Sequence, residues 1–337
     1  MVVEALSRYL SICDSSNSCQ LGIVGLPDIL APLLEQHRLA NRVELIACSE
    51  FVAMDESPLT ALRRKKDSSI HVAAKLVRER SWDAMVSAGN TGALMAIGKL
   101  VLRTLPGVDR PALAAIIPAQ NRTRTLMLDA GANVDCTPEQ LVQFAVMASC
   151  YMQAEGIAAP RVGLLNIGSE EIKGNEVVKE TARLLDRAGL NYIGNVEGTD
   201  IFSDSVDVVV CDGFVGNVAL KTMEGLAKFV VRQLKHELTA TPVAKMGALL
   251  ASGALRRFKN DMNPGEYNGA PLLGLNGLVV KSHGSADANA FACAIAAARR
   301  EVHADLCATI TAAVAAWGER QRDAGNPAAA AAPSADA

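Results

Sequence analysis

Short apolar runs alternate with stretches of helical periodicity along most of this chain, and the runs tend to end in small or polar residues. Glu4–Leu10 reads as a helix, Gln20–Gly25 as a strand closing on glycine, and Pro27–His37 as a helix opened by its proline. Val43–Cys48 is a further strand. Asp67, Ser68 and Ser69 offer N-caps for a helix over Ile70–Arg80. The run Ala84–Val86 stops at Ser87-Ala88-Gly89-Asn90-Thr91-Gly92, and Leu94–Leu102 is then helical. Leu113–Ile117 is a buried strand, and Thr125–Asn133 a strand feeding a small-residue loop. Thr137-Pro-Glu-Gln140 is a capping box with proline at the first helical position. Strands follow at Arg161–Gly168 and Asn191–Asn195, with a helix reaching Ala188 between them. Asp207–Lys221 repeats the strand, glycine-asparagine turn and helix of the Ala84 corner. Leu278–Lys281 is the last strand, and a helix runs from Ala288 to about Trp317.

Strands and helices in this rhythm imply βαβ units and a mainly parallel, doubly wound sheet, a Rossmann-like three-layer α/β/α fold. Residues 1–322 read as a single domain. Ligands in such folds bind beyond the carboxyl ends of the strands, where this chain places Ser87, Asp129, Asn166, Asn195 and Asp212. A strand delivered to a helix start at Gly89–Gly92 presents free N–H groups and a positive dipole end, which suits phosphate; the plain alternative is turn chemistry. No G-x-G-x-x-G follows an early strand and no G-x-x-x-x-G-K-[ST] occurs, so neither a standard NAD domain nor a P-loop is implied.

Half of the 337 residues are apolar but only 4% are aromatic, so the core is aliphatic. A net charge of −3 leaves no nucleic-acid footprint and confines any anion attraction to local patches. Eight cysteines without C-x-x-C spacing read as free thiols in a reducing compartment. The start Met1-Val-Val-Glu lacks a signal-peptide pattern and no run is long enough to span a membrane, so the expected location is cytoplasmic. Two patches stand out. Arg63-Arg64-Lys65-Lys66 is either a solvated face or a basic lip beside an anionic substrate. Pro242–Lys259 sets Val243, Met246, Leu250 and Phe258 on one helical face and cations opposite, which suits core packing, a partner subunit or an anionic membrane surface. Asp323–Ala337, rich in Ala and Pro, reads as a disordered tail.

Several blocks together closely resemble the bacterial phosphate acyltransferase (PlsX) family. They include A-L-R-R-K-K-D-S-S (61–69), S-A-G-N-T-G-A-L-M (87–95), L-D-A-G-A-N-V-D-C (128–136) and R-V-G-L-L-N-I-G (161–168). K-G-N-E (173–176), D-V-V-V-C-D-G-F-V-G-N-V-A-L-K (207–221), Y-N-G-A-P-L-L-G-L-N-G (267–277) and K-S-H-G-S-A-D (281–287) continue the match. The resemblance implies a homodimer that is cytoplasmic and peripherally associated with the inner face of the membrane. It implies conversion of acyl-(acyl carrier protein) and inorganic phosphate to acyl phosphate. A downstream membrane glycerol-3-phosphate acyltransferase then uses that product for phospholipid synthesis. Neither cofactor nor metal is implied. Family members open with a strand and a D-A-M-G-G-D-type loop, whereas this chain opens inside the following helix. Two expectations stay open: a coding start upstream of Met1, or a protein lacking one edge of its phosphate site and weakly active or inactive.

Phosphate near neutral pH needs positioning more than a strong base, so direct attack on the thioester requires no enzyme nucleophile. With the resemblance in place, Gly89, Asn90, Thr91, Gly92, Asn133 and Asn166 are the candidate phosphate and substrate contacts. Lys173 is the candidate for stabilising phosphate or oxyanion charge, and Asn217 for donating to the carbonyl oxygen. His283 is the candidate for protonating the thiolate or binding phosphate. The bland readings are a surface lysine at 173 and a capping or core histidine at 283. Arg63, Arg64, Lys65 and Lys66 become the dock for acidic carrier protein, and Val243, Met246, Leu250 and Phe258 the membrane contact. Competing readings are a metal- and NAD-dependent dehydrogenase, which would need Asp129, Asp135, Asp212 and Asp287 clustered, and a non-catalytic membrane scaffold.

Overall fold

The computed structural model describes residues 1–12, 19–261 and 268–325. In chain order the elements are α1 (Val2–Ile12), β1 (Leu21–Gly25), α2 (Pro27–Gln36), β2 (Val43–Ala47), α3 (Pro58–Arg64), α4 (Ser69–Arg78), β3 (Ala84–Ser87) and α5 (Thr91–Leu102). Then come β4 (Ala112–Pro118), β5 (Arg124–Leu128), α6 (Pro138–Ala154), β6 (Val162–Leu165), α7 (Glu176–Leu185), β7 (Tyr192–Val196) and β8 (Val208–Val210). The last are α8 (Gly213–Ala240), α9 (Pro242–Leu250), α10 (Ser252–Asp261), β9 (Ala270–Leu273), β10 (Leu278–Lys281), α11 (Ala288–His303) and α12 (Leu306–Gly325).

An eight-stranded sheet of order β3-β10-β9-β4-β5-β8-β6-β7 forms the middle layer. It is parallel at both ends and antiparallel across β10-β9-β4-β5. The expected parallel order gives way there because β4–β5 and β9–β10 are joined by connections too short for a crossover. Strand β9 lies in a segment the apolar pattern leaves without a strand. The consequence for function is directional: β3 and β10 run opposite to β5, β8 and β6, so their loops leave the opposite edge of the sheet.

Side-chain alternation assigns the layers. Ala112, Ala114, Leu126, Leu128, Val208 and Val210 point toward α6 and α12, and Val280 toward α11. On the other face Met85 and Val279 pack against α4 and α5, while Ala115, Ile117, Met127 and Val209 meet α8. β1 and β2 pair separately as a two-stranded parallel sheet. A cavity of about 820 Å³ lies between β1 and β3, walled by Ile70, Trp82, Phe291 and Ile295.

Caps follow the local chemistry. Thr137 and Gln140 form the expected capping box on α6. Ser68 is the α4 N-cap position, yet its hydroxyl donates to the Lys65 carbonyl instead of capping. The helix expected over 288–317 breaks between His303 and Leu306, where Asp305 has φ 45°, and α12 then runs to Gly325. Asp323, assigned to a tail by composition, is in its last turn; residues 326–337 lie outside those described. The single helix expected over 242–259 is two, α9 and α10, meeting at Ala251. All seven described cysteines are free.

Candidate active site

The corner between β3 and α5 is held by Asn90. Its Oδ1 accepts the Ala93 N–H at 3.0 Å, and its Nδ2 donates to the carbonyls of Ala53, Met54 and Glu56 at 3.1, 3.1 and 2.8 Å. The side chain is thus committed to tying the 53–56 loop onto the helix start. What the corner offers a ligand is backbone: first-turn N–H groups lack helical acceptors, and Asn90 takes only that of Ala93. Ser87 Oγ accepts the Gly89 N–H at 3.2 Å.

Beside this corner stands the end of β10. His283 donates its N–H to Asn268 Oδ1 at 2.9 Å, and its ring Nδ1 accepts the Ser285 N–H at 3.1 Å. Ser285 Oγ lies 2.7 Å from the same Nδ1. A neutral ring held this way carries its proton on Nε2 and can donate there. Gly284 sits against Met54 and the Ala88 carbonyl, so the 283–285 loop and the 87–92 loop are neighbours.

The far edge of the sheet is built around Asp129, which is fully buried. Its carboxylate accepts the N–H groups of Leu113, Gly131, Ala132 and Asn133, and the Asn133 amide, at 2.7 to 3.1 Å. Burial pushes its pKa up while those donors pull the other way. Asn133 also donates to the Pro111 carbonyl at 2.8 Å, so its side chain holds the loop together. Asp212 caps α8 through the Val215 N–H, and Asn217, exposed one turn on, lies against Gly131. Asn166 donates to the Lys173 carbonyl at 3.2 Å and Asn195 to that of Glu170 at 3.3 Å. These bonds fold the 166–175 loop back and leave the Lys173 side chain exposed. Burial, with Asp129 and Asp212 close by, holds the Cys211 thiol well above its ordinary pKa, so it stays a poor nucleophile.

The candidates therefore fall in two groups. Asn90 and His283 share one edge; Asn133, Asn166, Lys173 and Asn217 share the other. Helix α8 spans the gap by running back over the sheet face that also carries α5. Lys221, one turn past Asn217, is close enough to Lys281 to disfavour its charge. Lys281 is only 7% exposed, and burial, with Lys221 second, pushes its pKa down to about 8. Leu113 packs against both the α5 and the α8 clusters, forming the floor between the two helices. Among the described residues no contact links Lys173 to His283 or Lys281. Lys281 and Lys221 were legible only as lysines inside longer blocks; the available signal was a cation ending the apolar run Leu278-Val-Val.

The basic run splits. Lys65 turns inward, its Nζ 2.6 Å from Glu56 and 2.8 Å from the Phe51 carbonyl, which removes it from any docking face. Arg63, Arg64 and Lys66 remain exposed at the end of α3, whose Pro58 lies against Gly92 of α5. Val243, Met246, Leu250 and Phe258 are exposed by 82, 67, 85 and 41%, on a helical arm with no buried residue after Gly216 of α8 among those described. Among the described residues no helix is long and apolar enough to cross a membrane. Nor does any set of three His, Cys, Asp or Glu stand ready for a metal ion, Asp129, Asp135, Asp212 and Asp287 included.

The family model FA_synthesis, "Fatty acid synthesis protein", matches residues 4–309. A phosphate acyltransferase of Janthinobacterium sp. (strain Marseille) is 50% identical over 313 residues, 91% of this chain and 87% of the relative. One from Magnetococcus marinus is 54% identical over 281 residues, 81% of this chain and 80% of the relative. A phosphotransacetylase from Streptococcus pyogenes superposes with a TM-score of 0.57 at 18% identity, covering 88% of this chain and 91% of that one, a likeness of fold alone.

Proposed function

Because this chain belongs to the fatty acid synthesis protein family and to the acyltransferase class of enzymes, we propose that it transfers a long-chain acyl group from acyl carrier protein to inorganic phosphate. The observation that carries this reading is a single face of the sheet on which the α5 N-terminus, Lys281 and Lys221 put positive potential beside the His283 loop. A phosphate dianion held there attacks the thioester carbonyl carbon. Backbone N–H groups of Thr91 and Gly92 supply anion contacts, the Gly89 N–H being taken by Ser87 Oγ. Asn217 donates to the carbonyl oxygen, Lys173 balances charge from the opposite edge, and His283 Nε2–H hydrogen-bonds the phosphate, whose own remaining proton passes to the departing thiolate as acyl phosphate forms. Asn90, Asn133 and Asn166 act by fixing loops. The product, acyl phosphate, suits a membrane acyltransferase acting on glycerol 3-phosphate.

The test is direct: acyl-(acyl carrier protein) mixed with the protein should release free carrier thiol only when phosphate is added. Release that ignores phosphate, or none at all, overturns the reading. A second reading rests on Ser285 Oγ beside His283 Nδ1, a pair able to form an acyl-enzyme. The shared Nδ1 contact with the Ser285 N–H favours ring orientation as its purpose.

Arg63, Arg64 and Lys66 form the proposed dock for the acidic carrier. Reversing Arg63 and Arg64 to Glu should raise KM for carrier-linked substrate about tenfold and that for phosphate under about twofold; equal effects on both would discard the dock. The arm of α8–α10 is proposed to serve the homodimer and an anionic membrane surface on the cytoplasmic side. Met246→Asp with Leu250→Asp should cut binding to phosphatidylglycerol vesicles by about tenfold or more. Unchanged sedimentation with vesicles would remove the arm from membrane contact.

A further inference from the structure

Lys281 is a lysine in a place that lysines seldom occupy. In the parallel β3–β10 pair it stands in register with Ser87, and alternation puts it on the face of Val279 and Met85, toward α5. It is more than nine-tenths buried. Its Nζ donates to the Ser282 carbonyl, which uses one of its three protons. Among the described residues no carboxylate pairs with it, whereas Lys221 approaches from α8. Lys221 itself is partnered by Glu224 on its own helix at 3.0 Å. A buried ammonium with a cation for a neighbour is unfavourable until an anion arrives. From Ser87, the register partner of Lys281, the chain passes through Ala88-Gly89-Asn90 into α5, whose first-turn N–H groups can share an anion.

We propose that Lys281, buried opposite Ser87 at the strand end with Lys221 near it, is the side chain that binds the attacking phosphate, shared with the first turn of α5. The assignment deepens the phosphate acyl-transfer reading and rests on it. Neither a helix N-terminus nor a basic residue alone would suffice; here a buried cation, a second cation and unsatisfied N–H groups lie along one face. Burial weakens the amine's hold on its proton and a bound dianion strengthens it, so phosphate affinity and protonation are coupled. Asn90 then acts as a positioning residue, because its four hydrogen bonds fix the start of α5 on the 53–56 loop.

The experiment compares wild type, Lys281→Met and Lys281→Arg in phosphate-dependent thiol release. Losing a charge-assisted hydrogen bond to phosphate corresponds to roughly 10- to 100-fold. Lys281→Met should therefore raise KM for phosphate by about 30-fold or more while KM for the acyl carrier stays within about threefold. Its melting temperature should not fall, because an unpaired buried charge has gone; Lys281→Arg should recover part of the phosphate KM. A folded, active Lys281→Met with a phosphate KM within about twofold of wild type overturns the assignment. Should that variant fail to fold, reductive methylation of the wild-type protein with mass mapping decides: inorganic phosphate should slow labelling of Lys281 at least fivefold relative to chloride. No protection overturns the assignment. Failure of the acyl-transfer reading looks different: wild type releases no thiol, while protection of Lys281 by phosphate still reports the anion site.

Discussion

Gly216→Ala is expected to leave little folded protein. A Cβ at this position would lie 1.9 Å from the Asp129 carbonyl oxygen and 2.9 Å from Cys211 Sγ. The obstructing oxygen is backbone, and it belongs to the loop that the Asp129 carboxylate pins with five donors, so it cannot give way cheaply. Overpacking a well-filled core usually costs about 1–3 kcal/mol, and a clash with a fixed carbonyl belongs above that range. Denaturant midpoints check the expectation. Gly225→Ala, on the same helix with nothing within 4 Å of its added methyl, is the control and should be neutral or stabilising by up to about 1 kcal/mol. Equal midpoints for the two variants would mean that α8 does not dock on the Asp129 loop as described.

Lys173→Ala should show the reverse pattern, with the fold intact and catalysis lost. The turn after β6 uses this residue's backbone, its N–H to the Glu170 carbonyl and its carbonyl to Asn166, and leaves the side chain in solvent. Removing the side chain should therefore leave the melting temperature unchanged. A positioned cation at developing negative charge is worth about two orders of magnitude in kcat/KM, and that is the expected loss. Activity within threefold of wild type would show that the 166–175 loop stays away from the reacting atoms.

Much of this architecture could be read from apolar periodicity, because the flanking βαβ units place their hydrophobic faces where a rhythm of runs and helices says they must be. The middle of the sheet was harder. β9 is only Ala270–Leu273 and contains Pro271, so its period-two signal is too short to register. Its antiparallel pairing with β4 and β10 reverses the direction of β3, which no local pattern encodes. That reversal separates loops that looked equivalent, sending Asn90 and His283 to one edge and Asn217 and Lys173 to the other. Helix α3 is not legible as a helix because its cations read only as a solvated face or a basic lip, yet its packing on α5 turns Lys65 inward and leaves Arg63, Arg64 and Lys66 outside. Asparagines were easy to find and hard to assign. Side chains of Asn90, Asn133 and Asn166 satisfy backbone groups, a role that depends on which carbonyls the folded chain brings near. Lys281 was hidden for the opposite reason: its importance lies in burial and in Lys221, a partner 60 positions away by number (281 − 221).

The central claim is that bound phosphate is itself the nucleophile, with no acyl group passing through Ser285 or any thiol. Isotope exchange tests this most directly: acyl-(acyl carrier protein) is incubated with labelled free carrier protein and enzyme, with phosphate rigorously removed. Direct transfer predicts no label in the acylated carrier until phosphate is restored, after which exchange follows acyl phosphate formation. Rapid exchange without phosphate would demonstrate an acyl-enzyme and contradict the account.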